Sequence, residues 1–529
     1  MKTLFVYPGI ATIGFNSYES GDFSAKAVPL GIGYLAATLE GCGFETDILD
    51  LRYEKNFSTV EEALASSDAE IVALSVQTPS FGFAAEVAKI AKKYNKTVIA
   101  GGIHATINPD DFFSTGFFDY LITGEGEITL PELVKGLHTG TTMDSLLHGK
   151  PVTDMSGLPR PKDFPLYEKG YREVYNVETG RGCPARCTYC VSGKNQLFGR
   201  EIKHRATADI VEGIDFFKKK YDFKNMAFED VNATTNKTRF IDLCQRITSR
   251  YSDICLTIST RVDCFDEEVA EALSLFNDAI VWFGFESMSP RLMKFLKKGV
   301  NVKKNYKAVE LCEKYGIRLG ANVLTGVPTQ TNEEIKVTYE FIKDIAPSLL
   351  YYNVLSPFPG TEIAEYCLRN NLLEKVENYE RYEITQILQK GLIKGVDYDQ
   401  VRAWHPRFQA CTRNYDPLFV GMSFEQNKEY ALALKEYEKS LKMRHKPGKS
   451  LYYMASLLKR TNRYDAALHF FNMMEAYTTE LGASFMAKRH FHKGEIYKIQ
   501  GQKKAAKEEF VKCLKLMPEH RKAKEFVQR

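Results

Sequence analysis

GRGCPARCTYC, residues 180–190, places Cys183, Cys187 and Cys190 within eight positions, whereas the other eight of the 11 cysteines stand singly along the chain. A structural zinc site takes four tetrahedral ligands, and neither a fourth nearby cysteine nor an adjacent histidine pair completes one here. Three thiolates suit a cubane iron-sulfur cluster that keeps one iron open to a substrate; three structural cysteines that merely lie close in sequence are the bland alternative. The motif follows VYNVETG (174–180), a short β-rich apolar run. It therefore sits at the carboxyl end of a strand, the working face of a (β/α) barrel.

Downstream the alternation continues. NMAFEDV (225–231), CLTISTR (255–261), AIVWFGFES (279–287), RLGANVLTGV (318–327) and LLYYNVLSP (349–357) read as strands, separated by helical stretches such as TADIVEGIDFFKKKY (207–221). Six units over residues 175–365 predict a partial (β/α)6 barrel, short of the usual eight. Polar residues end its strands: Asp230, Arg261, Glu286, Asn322 and Asn353.

Upstream, residues 1–140 also alternate strand and helix, from TLFVYP through VIAGG to DYLITGEGE. That order predicts parallel strands with right-handed crossovers, a doubly wound Rossmann-like sheet whose ligand lies beyond the strand carboxyl ends. Ser75, Thr78, Gly101, Gly102, His104, Thr106, Gly124 and Gly126 cluster at those ends. Glycine there admits a bulky ligand to the backbone or simply turns the chain. Residues 141–174 read as a linker, and 366–414 as a helical linker or pocket region.

The last region, 415–529, is helical and repetitive. Gly421, Ala433 and Tyr437 recur 34 positions on as Ala455, Ala467 and Phe471; these recur again 39 positions on as Gly494, Ala506 and Phe510. Small residues where helices cross and aromatics where they fill predict an all-α stack of tetratricopeptide-like repeats with a five-residue insertion near TTELG. Such a stack grips a protein or peptide partner or caps the enzyme.

Composition limits the rest. At 529 residues, 44% hydrophobic and 26% charged, the chain reads as a globular protein of several domains. A net charge of +4 gives no nucleic-acid signal. Singly scattered cysteines, no signal-peptide pattern and no long apolar run predict a cytoplasmic protein without a transmembrane segment.

The C-x-x-x-C-x-x-C spacing, with Tyr189 before the last cysteine, resembles the signature of the radical S-adenosylmethionine superfamily. FEDVNATTN, STRVD, FGFESMS, LTGVPTQT and SPFPGTEI resemble its successive barrel segments, with Val231 where a second acid often stands. PLGIGYLAATLE, VALSVQTPS, VIAGGIHATINPDDFF and DYLITGEGE resemble, in order, the cobalamin (B12)-binding domain of cobalamin-dependent members. The resemblance implies a 4Fe-4S cluster on Cys183, Cys187 and Cys190. It places S-adenosylmethionine near Tyr189, Asp230, Arg261, Glu286 and Asn322, and cobalamin near Ser75, Thr78, Gly101, Gly102, His104, Thr106, Gly124, Glu125 and Gly126. No D-x-H-x-x-G stretch occurs, so the lower cobalt ligand is expected not to be a histidine. A reductant such as flavodoxin or ferredoxin is implied as partner. The implied activity is C-methylation of an unactivated carbon through methylcobalamin and a 5′-deoxyadenosyl radical. A cobalamin-dependent cyclase or oxidase without methyl transfer is the alternative, and an adaptor carrying an iron-sulfur cluster is the non-enzymatic one.

Overall fold

The computed structural model describes residues 1–8, 28–164, 167–191, 201–374, 391–413, 416–443 and 447–528. The chain divides into two compact units: Met1–Phe341 with Leu350–Tyr398, and Ile342–Leu349 with Asp399–Arg529.

The first unit holds two six-stranded parallel sheets. Sheet one consists of β1 (Lys2–Tyr7), β2 (Glu45–Asp50), β3 (Ile71–Ser75), β4 (Thr97–Gly101), β5 (Tyr120–Thr123) and β6 (Leu146–His148), in the order β2-β1-β3-β4-β5-β6. The strand order reverses between β1 and β3, which opens a crevice beyond their carboxyl ends. Val72, Leu74, Val98, Ala100 and Leu121 are fully or almost fully buried under covering helices, as apolar strands of a parallel sheet require. Sheet one runs past residue 140. Within the expected linker 141–174, β6 pairs with β5; three residues are too few to display a strand period, so this strand was invisible as a pattern.

Sheet two begins with β7 (Tyr175–Val177). A small antiparallel ladder, β8 (Gly180–Arg181) with β9 (Lys203–His204), carries the start of the cysteine loop. Then follow β10 (Asn225–Phe228), β11 (Cys255–Thr260), β12 (Asp278–Glu286), β13 (Arg318–Thr325) and β14 (Leu349–Val354), ordered β14-β13-β12-β11-β10-β7. Each strand pairs with its neighbour in sequence, the winding of a barrel. In β12 alternate residues Ala279, Val281, Phe283 and Phe285 are buried towards the helices, while Ile280, Trp282 and Gly284 are only partly covered. The opposite face is thus an inner one, where Trp282 stacks on Tyr351 with ring centres 4.5 Å apart. Gly320 makes room for that indole, since a Cβ there would lie 2.5 Å from it.

The second unit is helical. The first helix of each repeat offers a small residue to an aromatic on the second. A Cβ on Gly421 would lie 2.5 Å from the Tyr437 ring, and one on Gly494 would lie 2.7 Å from Phe510; Ala455 and Phe471 share one core cluster. The insertion is absorbed by the short turn Met474–Tyr477 and the 22-residue helix Thr478–Ile499. Besides the repeats, the unit takes in Ile342–Leu349 and the residues from Asp399 onward. Among the described residues no helix is long and apolar enough to cross a membrane.

Candidate functional site

Two strand-end edges form the site. At the carboxyl ends of sheet one lies a cavity of about 290 Å³ lined by Ser75, Gly101, Gly102, Gly124, Glu125 and Gly126, with Phe5, Leu35, Ile99 and Leu130 as its apolar walls. The rim is bare backbone by necessity. Gly102 has φ +94°, and a Cβ there would sit 2.8 Å from the Val76 nitrogen. Gly31, on the helix Leu30–Gly41, also lines the cavity, and a Cβ there meets nothing within 4 Å. The other three expected residues stand outside the lining. Thr106 Oγ1 donates to the Gly102 carbonyl (2.8 Å) and accepts from the Gly124 N–H (2.9 Å), tying two strand-end loops together. Thr78 is buried in the short turn after β3. His104 is wholly buried between Phe81 and Phe112, its Nε2 3.2 Å from Asp111. Burial lowers its pKa to about 4 despite that carboxylate, so the ring is neutral at neutral pH.

The cysteine loop leaves sheet two beside this cavity. Arg181, two residues before Cys183, is 4% exposed and binds three carboxylates: Glu125 (3.0 Å), Glu127 (2.7 Å) and Glu178 (2.9 Å). Lys203, on the paired strand β9, reaches the second oxygen of Glu125 at 2.5 Å, and the Val152 N–H donates to the same oxygen. Glu125 therefore lines the cavity while spending its charge on the neighbouring loop. Arg181 and Glu178 themselves line the same cavity, so one wall of the sheet-one crevice is the root of the cysteine motif. Burial pushes the Glu178 carboxyl upward, partly offset by Arg181.

Within the loop none of the three cysteines is in a disulfide, and Cys187 is buried. Arg261 lies with Nη1 3.9 Å from Cys187 Sγ, while its Nη2 holds the Lys298 carbonyl at 2.8 Å and Asp263 at 3.0 Å. Tyr189 Oη donates to Glu286 at 2.9 Å, and Lys298 Nζ reaches the same oxygen at 3.1 Å. Burial first, then Glu286, Cys187 and Cys190, hold the Tyr189 phenol well above its ordinary range, so it stays a donor. Glu286 adopts φ +59° after a register shift in β12, a strained conformation of the kind that clusters at functional sites. Gly284 permits it: a Cβ there would meet Lys298 Nζ at 2.7 Å.

Tyr189, Arg261 and Glu286 are thus gathered around the loop. Asn322 lies one strand further on, its Oδ1 accepting from Asn353 at 3.4 Å. Asp230 stands behind, accepting from the Thr179 N–H (2.7 Å) and hydroxyl (2.6 Å), with its pKa raised to about 6 by burial. Arg181, Glu127, Glu178, Lys203 and Lys298 were not anticipated. Lys298 falls in a lysine-rich run that reads as a solvated face; only its position in a KKG turn shortly after a strand-end glutamate hints otherwise.

The B12 binding domain family matches residues 21–134, the radical SAM superfamily 177–342 and the tetratricopeptide repeat 487–520. An uncharacterized methyltransferase of Pyrococcus horikoshii is 30% identical over 404 residues, 69% of this chain and 87% of that protein. The chain belongs to the B12-binding radical S-adenosylmethionine enzymes. An anaerobic magnesium-protoporphyrin IX monomethyl ester cyclase of Rubrivivax gelatinosus is 24% identical over 447 residues, 77% of each chain. The cobalamin-dependent S-adenosylmethionine radical enzyme OxsB, solved with aqua-cobalamin and S-adenosylmethionine bound, shares the fold with a TM-score of 0.65 at 14% identity, covering 96% of this chain and 83% of that one.

The cofactors of this radical S-adenosylmethionine enzyme are a 4Fe-4S cluster, S-adenosylmethionine and cobalamin, and its residues fit them. Among the described residues no three His, Cys, Asp or Glu side chains converge as a single metal ion requires. The donor set is three thiols, none in a disulfide, spread along one loop beside a guanidinium, which suits a polynuclear anionic centre. Five glycines line this cavity, and at Gly31 the space beyond the backbone is open. At about 290 Å³ the cavity has room for only part of a corrinoid.

Proposed function

We propose that the protein is a C-methyltransferase acting on an unactivated carbon. The observation that carries this reading is the shared wall: Arg181 and Glu178, at the root of the cysteine loop, line the glycine-rimmed cavity of sheet one. When bound, the cluster with S-adenosylmethionine supplies a hydrogen-abstracting radical, and cobalamin supplies a transferable methyl group. The chain's residues do the positioning. Cys183, Cys187 and Cys190 would hold the cluster, and Glu286, already held by Tyr189 and Lys298, would present its carboxylate to S-adenosylmethionine. Tyr189 and Arg261 fix the loop around them. Asp230 sets the loop's base through Thr179, and Asn322 lines the inner face one strand away. The buried Arg181 cluster keeps water from the junction, which matters because a reactive radical attacks the nearest C–H bond.

The Pyrococcus relative's name supports methyl transfer. The Rubrivivax cyclase favours the second reading, a cyclase working without methyl transfer on the same two sites. Anaerobically reconstituted enzyme given S-adenosylmethionine with a deuterated methyl group and candidate substrates should yield a product heavier by one labelled methyl, and none with Cys187→Ala. A product that has lost hydrogen and gained no label establishes the cyclase instead.

A further inference from the structure

The inner face of sheet two carries chemistry below the level of the cysteine loop. Strand register sets it out as one row. Ser259 lies beside Trp282 and Trp282 beside Gly320, and the Ala227–Thr257 register, carried two residues on, puts Glu229 beside Ser259. Alternation agrees with this row. Phe228 and Tyr175 turn towards the helices, where they meet Phe240 and Phe217, so their neighbours Glu229 and Asn176 turn inward.

One end of the row is an aromatic platform. The Trp282 indole lies over Gly320, and the Tyr351 ring closes on it 20° from parallel. Tyr351 is 47% exposed, so the pair keeps a ring open to the interior.

The other end lacks a positive charge. Asn176 Nδ2 donates to Glu229, and no cation pairs with that carboxylate among the described residues. Surrounding protein pushes the Glu229 carboxyl up, opposed only by the Asn176 donor, yet the side chain is accessible. Crowded and open at once, it stands in a concavity. Asn176 is 6% exposed, and its Oδ1 is buried with no hydrogen-bond partner among the described residues. Buried polar atoms in folded proteins are nearly always satisfied. This corner therefore holds acceptors in excess of donors. No trio of metal-ligating side chains forms among the described residues, so a singly charged N–H donor answers it better than a metal ion.

We propose that this inner row seats the substrate and that the substrate is an amine with a flat, apolar body, its ammonium on Glu229 and its body on Tyr351. Three strand spacings of about 4.8 Å each separate β10 from β13. The curve of the sheet shortens the direct path, and a two-ring body fits between the ends. This seat rests on the reading above for a substrate to exist, and it serves methylation and cyclisation alike.

The test titrates full-length enzyme, reconstituted with cluster, cobalamin and S-adenosylmethionine, with naphthylethylamine and its uncharged N-acetyl derivative in a calorimeter. The parent should bind the amine about 10-fold or more tightly than the amide, the worth of one charge-assisted hydrogen bond. Glu229→Gln should erase that preference, whereas Tyr351→Leu should weaken both probes equally, by about 2-fold to 10-fold. Both variants should keep the parent's affinity for S-adenosylmethionine, which shows the loop intact. Under dithionite, saturating naphthylethylamine should raise 5′-deoxyadenosine release from the parent about 2-fold or more, because a seated C–H bond offers the radical its hydrogen, and should not raise it from Glu229→Gln. No preference for the amine in the parent, or a preference that survives Glu229→Gln, overturns the proposal. Weakened S-adenosylmethionine binding in Glu229→Gln also overturns it, by assigning the carboxylate to that molecule. Amine binding without any effect on 5′-deoxyadenosine release strikes the assignment to substrate. None of these readouts needs a methyl transfer, so a cyclised product leaves each of them as stated.

Discussion

The carboxyl edges of the two sheets occupy the same place in their topologies and solve opposite problems. The edge of sheet one is stripped: Gly101, Gly102, Gly124 and Gly126 surround an apolar cavity, and its buried histidine faces Phe81 and Phe112 rather than the opening. The edge of sheet two is loaded: Tyr189, Glu286, Lys298 and Arg261 form a nearly enclosed polar cluster beside three thiols. A large cofactor that brings its own reactive centre needs shape and space from the protein. A small charged one needs placed donors and acceptors. The same backbone edge serves both because side chains, not topology, decide its chemistry.

The largest effect should come from the loaded edge. Cys187→Ala removes one of three anchors from a centre that has no spare ligand, and S-adenosylmethionine cleavage under dithionite should fall to background. Iron and sulfide content after reconstitution should fall with it, while cobalamin uptake by the stripped edge should persist. Loss of both would mean the two edges cannot fill separately. Next comes the seam between them. Arg181→Met leaves Glu127 and Glu178 buried without their cation, at a cost of roughly 3–5 kcal/mol. Arg160, whose pair with Glu212 is 40% and 69% exposed, serves as control, and Arg160→Met should cost under about 1 kcal/mol. Chemical denaturation of both variants gives the comparison; equal costs would sink the claim that Arg181 locks the seam.

That seam is also where sequence reading stops. The strands of both sheets, β6 apart, were legible because apolar runs alternate with amphipathic helices, and the cysteines because their spacing is rare. The glycines of the stripped edge were legible from their place at strand ends. Arg181 stands inside the motif, yet its partner Glu125 is 56 residues away, and no local pattern pairs an arginine with an acid so distant in sequence. Lys298 was hidden differently: a buried lysine in a run of exposed ones differs only in which way it points. Asp230 was legible as polar, but its engagement by Thr179 depends on how β7 and β10 lie side by side.

Asp230 provides a test of the loaded edge that reads pH. Burial raises its pKa to about 6 against an ordinary value of 3.8, so between those values the folded state holds a proton that the unfolded state has released. Its contribution is fully present below about pH 4 and is lost as pH rises towards 6, a change on the order of 2–3 kcal/mol. Asp230→Asn cannot titrate. The difference in unfolding free energy between variant and parent should therefore slope across that window and be flat above it. A difference constant from pH 4 to 7 would show that the carboxylate is held charged throughout by the two Thr179 donors.

The smallest effects separate two glycines of the stripped edge. Gly102 and Gly31 line one cavity, but Gly102 sits at φ +94° with backbone 2.8 Å from any added methyl, whereas Gly31 lies in a helix facing open space. Gly102→Ala should destabilise by about 1–3 kcal/mol through backbone strain. Gly31→Ala should change stability by only about 0.5–1 kcal/mol, and in the favourable direction, since alanine loses less entropy than glycine on entering a helix. Its methyl would nevertheless project into space that part of a corrinoid needs. Cobalamin titration followed by absorbance should therefore show weaker binding in a protein that melts slightly higher. Stability and affinity would then move apart at a single residue, as they must if that space is kept open for a ligand rather than for the fold. Binding unchanged in Gly31→Ala would mean that the corrinoid does not enter this cavity and that the glycines serve only to turn the chain.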